Sequence, residues 1–189
     1  GKTRALTQRY AYIVKGLGIS TSNILSVTFT NKAAAEMRKR VRQLIGEGYD
    51  TGLIATYHGF CVRVFREDIH HLKYPKRFII LDEEDQKTIL REIYYELGIN
   101  NTHGSFNKML KYITKMKANP NYVRFMTSTQ DRMKTSEVDG TQQKVYHKYL
   151  LKQKKVFGLD FDDLINFTFV LFEDFPHVLE KWQNRIHWW

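Results

Sequence analysis

The feature that most constrains this chain is an alternation of two periodicities in its first third. A short β-branched and aromatic run, NILSVTFT (23–30), leads directly into NKAAAEMRKRVRQLIG (31–46). The first predicts a strand. The second predicts a helix: Ala34, Met37, Val41, Leu44 and Ile45 share one face, Glu36 precedes Arg40 by one turn, and Gly46 closes it. Upstream, residues 2–17 set Leu6, Tyr10, Ile13, Val14 and Leu17 at helical spacing before the stop at Gly18. Downstream the pattern repeats. GLIATYHGF (52–60) predicts a second strand, followed by a helix through about Leu72 with Cys61, Val64, Phe65, Ile69 and Leu72 facing inward. Parallel strands need a crossover between them, so helix, strand, helix, strand, helix predicts an α/β layer around a parallel sheet.

After Pro75 this rhythm stops. Asp82 is placed to cap a helix to Gly98, with Ile89, Leu90, Ile93 and Leu97 inward. Ser105 is placed to cap another, carrying Phe106, Met109, Leu110, Ile113 and Met116 on one face and ending before Pro120. A polar stretch around 127–141 reads as a loop, and a basic helix covers roughly 142–157. LDFDDLINFTFVLFED (159–174) then predicts a helix capped by Asp160, with Phe161, Leu164, Ile165, Thr168, Leu171 and Phe172 on one side. A short helix follows Pro176, and RIHWW has the look of a strand beginning. The expected organisation is therefore an α/β layer over 1–79, an all-helical insertion over 80–157, and a return to the first layer over 158–189.

The net charge of +10 is unevenly placed. Residues 1–66 carry 11 basic against 3 acidic side chains, and residues 106–157 carry 12 against 3. The stretches 67–105 and 158–189 are acidic by 5 against 8 and 2 against 6. Two basic blocks of this kind suit a polyphosphate partner, because neutralising phosphates releases condensed counterions. A lysine-rich solvated surface is the plainer reading of the same numbers. The single cysteine, Cys61, excludes an internal disulfide framework and fits a reducing compartment. The longest apolar run, Phe167–Phe172, is far too short to cross a bilayer. The histidines are scattered without zinc-ligand spacing. Asp160, Asp162 and Asp163 invite a metal site, but helix capping and local ion pairing account for them more simply.

The chain opens with Gly1-Lys2-Thr3, which is how a nucleotide phosphate loop ends. In such a loop the lysine ammonium reaches the terminal phosphates and the hydroxyl helps hold magnesium. The following helix offers its N-terminus to anionic oxygens. Three residues are a weak signal by themselves, and a frayed terminus with an exposed lysine is the alternative.

Five ordered segments make the signal specific. GKTRALTQRYAYIV, ILSVTFTNKAAAEMRKRV, IATYHGFCVRVFR, FIILDEEDQ and LDFDDLI together resemble the N-terminal part of UvrD/Rep/PcrA-like superfamily 1 DNA helicases. The resemblance covers essentially the whole chain. It implies a partial RecA-like P-loop NTPase sheet with a helical 1B insertion, cropped before the Asp-Glu pair of the Walker B motif. Upstream of Gly1 it implies the rest of the phosphate loop and an adenine-reading glutamine.

By the same resemblance, Gly1, Lys2, Thr3 and Arg4 belong to the ATP site, with Lys2 on the β/γ-phosphates, Thr3 on magnesium and Arg4 near the adenine. Phe29, Thr30, Asn31 and Lys32 match the segment that meets single-stranded DNA, and Thr56 and His58 match a second segment on its backbone. A phenyl ring there suits any base, which fits binding without sequence preference. Phe29 as a core residue at a strand end is the rival reading. Tyr57 and Gly59 depart from the family's more frequent Phe and Ser, and Gly59 removes a hydroxyl. In the insertion, Lys108, Lys111 and Lys115, and Lys144, Lys148, Lys152 and Lys155, recur at helical spacing and are expected to track duplex phosphates. Arg38, Lys39, Arg40 and Arg42 are read as a solvated face.

The implied parent is a cytoplasmic ATP- and Mg2+-dependent helicase that moves 3′ to 5′ on single-stranded DNA and unwinds duplex, with DNA repair among its settings. The fragment alone is expected to be inactive. Two other readings stay open: the motor portion of a helicase–nuclease subunit, and a non-catalytic DNA-binding remnant.

Overall fold

The computed structural model describes residues 2–102, 104–129 and 140–188. In chain order the elements are α1 (Lys2–Lys15), β1 (Ser26–Thr28), α2 (Asn31–Ile45), β2 (Ile54–Thr56) and α3 (Tyr57–Asp68). Then come β3 (Ile79–Ile80), α4 (Glu83–Glu96), α5 (Ser105–Lys117), α6 (Tyr122–Thr127) and α7 (Thr141–Val156). The last are β4 (Gly158–Leu159), α8 (Phe161–Asp174) and α9 (Pro176–Arg185). The result is mixed α/β, mostly helical with short parallel strands. The chain divides into two compact units, residues 1–63 with 175–189, and residues 64–174. One division falls inside α3 and the other between α8 and α9.

In the unit of residues 1–63 and 175–189, β1 and β2 pair in parallel, with Ser26, Val27 and Thr28 opposite Ile54, Ala55 and Thr56. Both strands are shorter than the sequence predicts. Thr21–Asn23 is a 3-10 turn held by the Ser20 hydroxyl, so the strand cannot start at Asn23. At the other end, the Thr56 hydroxyl accepts the Gly59 amide at 3.0 Å, and the predicted strand over 57–60 is instead the first turn of α3. The core joins Tyr10, Ile13 and Val14 of α1 to Met37, Val41 and Ile45 of α2, with Ile24 and Ile54 beneath. Fully burying one such side chain is worth roughly 1.5–3 kcal/mol of transfer free energy. Leu6, predicted on this face, is 55% exposed, and Leu17 lies beyond the end of α1 and is also exposed. Near the chain's end, Trp188 forms a parallel bridge with Ile24, and the Leu25 amide donates to the Trp188 carbonyl at 2.9 Å. His187 and Trp188 thus lie beside the residues that lead into β1.

In the unit of residues 64–174, a second parallel ladder pairs β3 with β4, Ile79 opposite Gly158 and Ile80 opposite Leu159. The helical segment between them leaves and returns through this one ladder. At Gly158 an added Cβ would lie 2.8 Å from the Leu81 side chain, which would have to move aside. Asp82 caps α4 as predicted, in a reciprocal capping box with Asp85. Ser105 does not cap α5. Gly104 occupies that position, and the Ser105 hydroxyl bonds the Asn101 side chain instead. The sequence reading had no helix at α6. Of the predicted 127–141 loop, residues 130–139 lie outside the described residues.

The predicted face of α8 is right only in part: Leu164 and Leu171 turn inward as expected, but Phe161 and Ile165 do not. Asp163, Leu164, Phe167, Val170 and Leu171 are buried, whereas Phe161, Ile165 and Phe169 are exposed. The reason is electrostatic. Asp160 and Asp163 turn inward onto the buried Lys117 ammonium, so the inward side of α8 includes a carboxylate that hydrophobic pattern assigns to water.

Candidate functional site

In the first unit, two adjacent parallel strands end in register and each hands over at once to a helix. Ligands of α/β sheets gather at such carboxyl ends, where helix N-termini offer unpaired N–H groups. After β1, Thr30 adopts extended backbone and its hydroxyl accepts the Ala33 amide at 3.1 Å, capping α2. The Thr28 hydroxyl donates to the Thr30 carbonyl at 3.1 Å and stiffens the turn. Thr30 is therefore first a cap, a device that fixes where Asn31 and Lys32 begin the helix; both are exposed.

Between strand and cap stands Phe29, 92% exposed. This removes the core reading of Phe29 and leaves a large apolar ring in water. Across the register from Thr28 lies Thr56, and the next residue, Tyr57, is 55% exposed. The two rings approach with centroids 6.1 Å apart and planes at 57°. His58 follows, half-buried in the first turn of α3. At Gly59 an added Cβ would sit 3.2 Å from the Thr56 hydroxyl and 3.3 Å from the Ala55 side chain. Glycine keeps that turn tight against the strand end.

Lys2, Thr3 and Arg4 form the exposed first turn of α1, and Gly1 lies outside the described residues. Thr3 borders a groove of about 370 Å³ whose walls include Leu6, Tyr10, Val27, Met37 and Trp188, with Tyr57 at its rim of lining residues. Thus the sequence-predicted nucleotide residue Thr3 and the strand β1 line one groove. Arg38, expected to be solvated, is not. Its guanidinium donates to the Ile54 carbonyl at 2.6 Å and ties α2 to β2. Arg40 pairs with Glu36 along the exposed side of α2.

In the second unit, the carboxylates of LDFDDLI meet a partner that sequence reasoning overlooked. The Lys117 ammonium, fully buried, donates to Asp160 Oδ2 at 2.6 Å, Asp163 Oδ1 at 2.7 Å and Gln153 Oε1 at 2.9 Å. Tyr122 donates to Asp163 Oδ1 at 2.6 Å and Tyr149 to Asp160 Oδ2 at 2.9 Å. The Asp160 amide donates to Asp163 and the Asp163 amide to Asp160, so the pair also caps α8 reciprocally. Burial works against the Lys117 charge, but Asp163 and Asp160 outweigh it and raise its pKa. Burial pushes the Asp163 carboxyl up to about 6, with Lys117 opposing and Asp160 adding to the rise. Burial and the neighbouring carboxylate also push the Tyr122 phenol well above its ordinary value. Every inward-facing oxygen is taken by a donor, which makes this an internal structural cluster. Among the described residues no group of three or more His, Cys, Asp or Glu side chains is placed to hold a metal ion. The only sequence signal for Lys117 was its position one step after Met116 on a face otherwise apolar.

The basic rows of this unit are unequal. Lys108, Lys111 and Lys115 on α5 are exposed, as are Lys144 and Lys155. Lys148 and Lys152 on α7 are half-buried and engaged by α4: Lys148 with Glu96 at 2.9 Å, Lys152 with Glu92 at 2.9 Å and Glu96 at 2.7 Å. Those two lysines hold the Glu96 carboxyl down to about 2.

Comparison with known proteins adds lineage to this geometry. The UvrD/REP helicase N-terminal domain family matches residues 1–188. The ATP-dependent DNA helicase PcrA of Staphylococcus aureus (strain Mu50) is 34% identical over 190 residues, covering 100% of this chain and 25% of that protein. PcrA of Staphylococcus epidermidis (strain ATCC 12228) is 35% identical over the same span. The chain therefore spans about a quarter of the length of these relatives. Its five ordered motifs and the family match agree, and the chain belongs to the UvrD/REP helicase family through that family's N-terminal domain.

Proposed function

We propose that this chain is the strand-gripping and phosphate-binding part of an ATP-dependent DNA helicase that moves 3′ to 5′ on single-stranded DNA. The observation that carries the reading is Phe29, a ring 92% exposed at a strand end beside a capped helix N-terminus. A base stacked on such a ring contributes about 1–3 kcal/mol without demanding sequence. In this reading Phe29, Thr30, Asn31 and Lys32 meet one stretch of strand, and Thr56 and His58 meet its backbone. The helix starts at Asn31 and Tyr57 supply N–H groups for phosphates.

Gly1, Lys2, Thr3 and Arg4 are assigned to ATP, and Thr3 to its magnesium. The residues fit the group: Lys2 and Thr3 stand exposed on the first turn of a 14-residue helix, and Thr3 borders the groove beside β1. Bound ATP and Mg2+ supply the hydrolysis that drives movement, by positioned charge and not covalent chemistry. The chain's own contribution is to seat the phosphates with Lys2 and the helix N-terminus. We assign 1–79 and 158–189 to a RecA-like motor layer and 80–157 to the helical 1B insertion. The Ile24–Trp188 bridge supports the return of the chain to that layer. Lys108, Lys111, Lys115 and Lys144 are assigned to duplex phosphates. Lys148 and Lys152 join them only in so far as Glu92 and Glu96 release them. A cytoplasmic role in DNA unwinding and repair follows from this reading; among the described residues no helix is long and apolar enough to cross a membrane.

The test uses the full-length protein. ATPase activity should rise on adding oligothymidine, Lys2→Ala should abolish it at any DNA concentration, and Phe29→Ala should raise the DNA concentration needed for stimulation. DNA stimulation unaffected by Phe29→Ala would overturn the strand assignment.

A further inference from the structure

Arg38 is given no part in the function above, yet it joins the two segments assigned to the DNA strand. In the β1–β2 ladder the Ser26 amide donates to the Leu53 carbonyl at 3.0 Å. Carbonyls alternate sides along a strand, so the next one, on Ile54, points away from β1 to the outer edge of β2. Among the described residues no strand pairs with β2 on that side. The Arg38 guanidinium takes the place of one, donating to the Ile54 carbonyl at 2.6 Å. Hydrogen bonds from an ionised donor are short and strong, and a planar guanidinium holds its direction.

This bond closes a circuit. From Ile54, β2 runs to Thr56, the register partner of Thr28. The Thr28 hydroxyl donates to the Thr30 carbonyl at 3.1 Å, and the Thr30 hydroxyl accepts the Ala33 amide at 3.1 Å, fixing the start of α2. The helix then carries the chain about two turns to Arg38, and so back to Ile54. Met37 and Val41 seat α2 in the core by apolar packing, which is non-directional. Arg38 supplies the direction.

We infer that Arg38 is a positioning residue for single-strand binding. By bonding the Ile54 carbonyl it fixes the angle between the start of α2 and the end of β2. That angle sets Asn31 and Lys32 against Thr56 and His58, so two separate segments meet one strand at a fixed spacing. Arg38 itself touches no DNA, because its guanidinium is committed to the strand edge. The inference rests on the single-strand reading above and adds to it a residue that acts through others.

The experiment measures binding of the full-length protein to a labelled oligothymidine by fluorescence anisotropy across a salt series. Thermal unfolding of the same preparations sets a temperature at which every variant is folded. Arg38→Met keeps the aliphatic stem and removes the donors, and should weaken binding roughly fivefold at that temperature. The slope of log K against log salt should not change, because no phosphate contact is lost. The DNA concentration for half-maximal ATPase stimulation should rise by the same factor, while the rate at saturating DNA holds. Arg38→Lys keeps the charge but not the planar fork, and its affinity should fall between the two. A slope shallower by roughly 0.9 in Arg38→Met, with wild-type affinity in Arg38→Lys, makes Arg38 a phosphate contact and overturns the inference. Wild-type affinity in both variants beside a weakened Phe29→Ala overturns it too and leaves the single-strand reading standing. Wild-type affinity in Phe29→Ala as well overturns both.

Discussion

At the ends of β1 and β2 the chain sets two aromatic rings in water, while in the unit of residues 64–174 it sets a lysine and two aspartates wholly out of it. Residue type alone would assign them the other way round, aromatics to the core and carboxylates to a surface site. The difference lies in what each arrangement leaves unsatisfied. Around Lys117 each charge has found its partners, and nothing is left to offer a ligand. At Phe29 an apolar ring stands uncovered at a strand end beside a helix N-terminus, where a base can stack on it. Exposure alone does not mark a binding face, since Tyr95, Phe161 and Phe169 are exposed too; at Phe29 it coincides with a strand end and a capped helix N-terminus, whereas the tempting carboxylates around Lys117 are satisfied internally.

The largest expected effect tests the scaffold half. Lys117→Met should destabilise the protein by about 3–5 kcal/mol, because it leaves two carboxylates buried without their cation. Chemical denaturation with far-UV circular dichroism measures it. A loss below about 1 kcal/mol would mean that water reaches the cluster and that the contrast with the binding face is false.

Acid sharpens the same half. The Asp163 carboxyl sits at about 6 in the folded chain, against about 3.9 for an ordinary aspartate. Between those values the native chain keeps a proton that the unfolded chain has released. The cluster's contribution therefore grows as pH falls through 6 and levels off near 4. Asp160 has the opposite sign. The Lys117 charge and hydrogen bond overcome burial and hold its carboxyl below the ordinary value, so its contribution is lost only at still lower pH. The shift in unfolding midpoint between about pH 7.5 and about pH 5 should lean more toward acid stability in the unaltered protein than in Asp163→Asn. Equal shifts in the two would place the proton elsewhere.

Phe29→Ala carries the comparison to the other side, and it should separate binding from stability. The ring touches Tyr57 and little else, so its loss should change stability by less than about 0.5 kcal/mol. Its loss should weaken single-strand binding by about 1–3 kcal/mol. Thermal unfolding and anisotropy on the same preparation give both numbers. A stability loss as large as the binding loss would make Phe29 a core residue after all.

Much of this was readable from the sequence, and the failures share a cause. The alternation over residues 1–72, the cap at Asp82 and the parallel strand pairing follow from local pattern, and the structure has them. Residues 57–60 were misread as strand because YHGF is apolar enough for either state; the Thr56 hydroxyl on the Gly59 amide decides for helix. On α8, Leu164, Leu171 and the cap at Asp160 follow from pattern, but hydrophobic periodicity ranks aspartate as outward and has no access to the lysine 43 residues away in sequence that pairs with Asp160. Arg38 followed the same logic, its partner being the Ile54 carbonyl. Phe29 and its segment were named from motif likeness, but whether the ring was covered depended on tertiary placement. Long-range pairing of polar groups is what one-dimensional pattern omits.

The smallest effect concerns a region between the two extremes. Lys148 and Lys152 stand half-exposed and are paired with Glu92 and Glu96, neither sealed like Lys117 nor free like Lys108. Such solvent-screened pairs contribute little to stability, and salt weakens them further. Glu92→Gln with Glu96→Gln should therefore cost little stability while releasing two ammonium groups on α7. If the basic rows of this unit face duplex phosphates, the double variant of the full-length protein should bind duplex more tightly. Its log K should also fall more steeply with log salt, by up to roughly 0.9 for each lysine that gains a phosphate. Unchanged duplex affinity and slope would mean that α7 belongs with the scaffold, its lysines serving α4 alone, and would leave α5 as the basic face of the insertion.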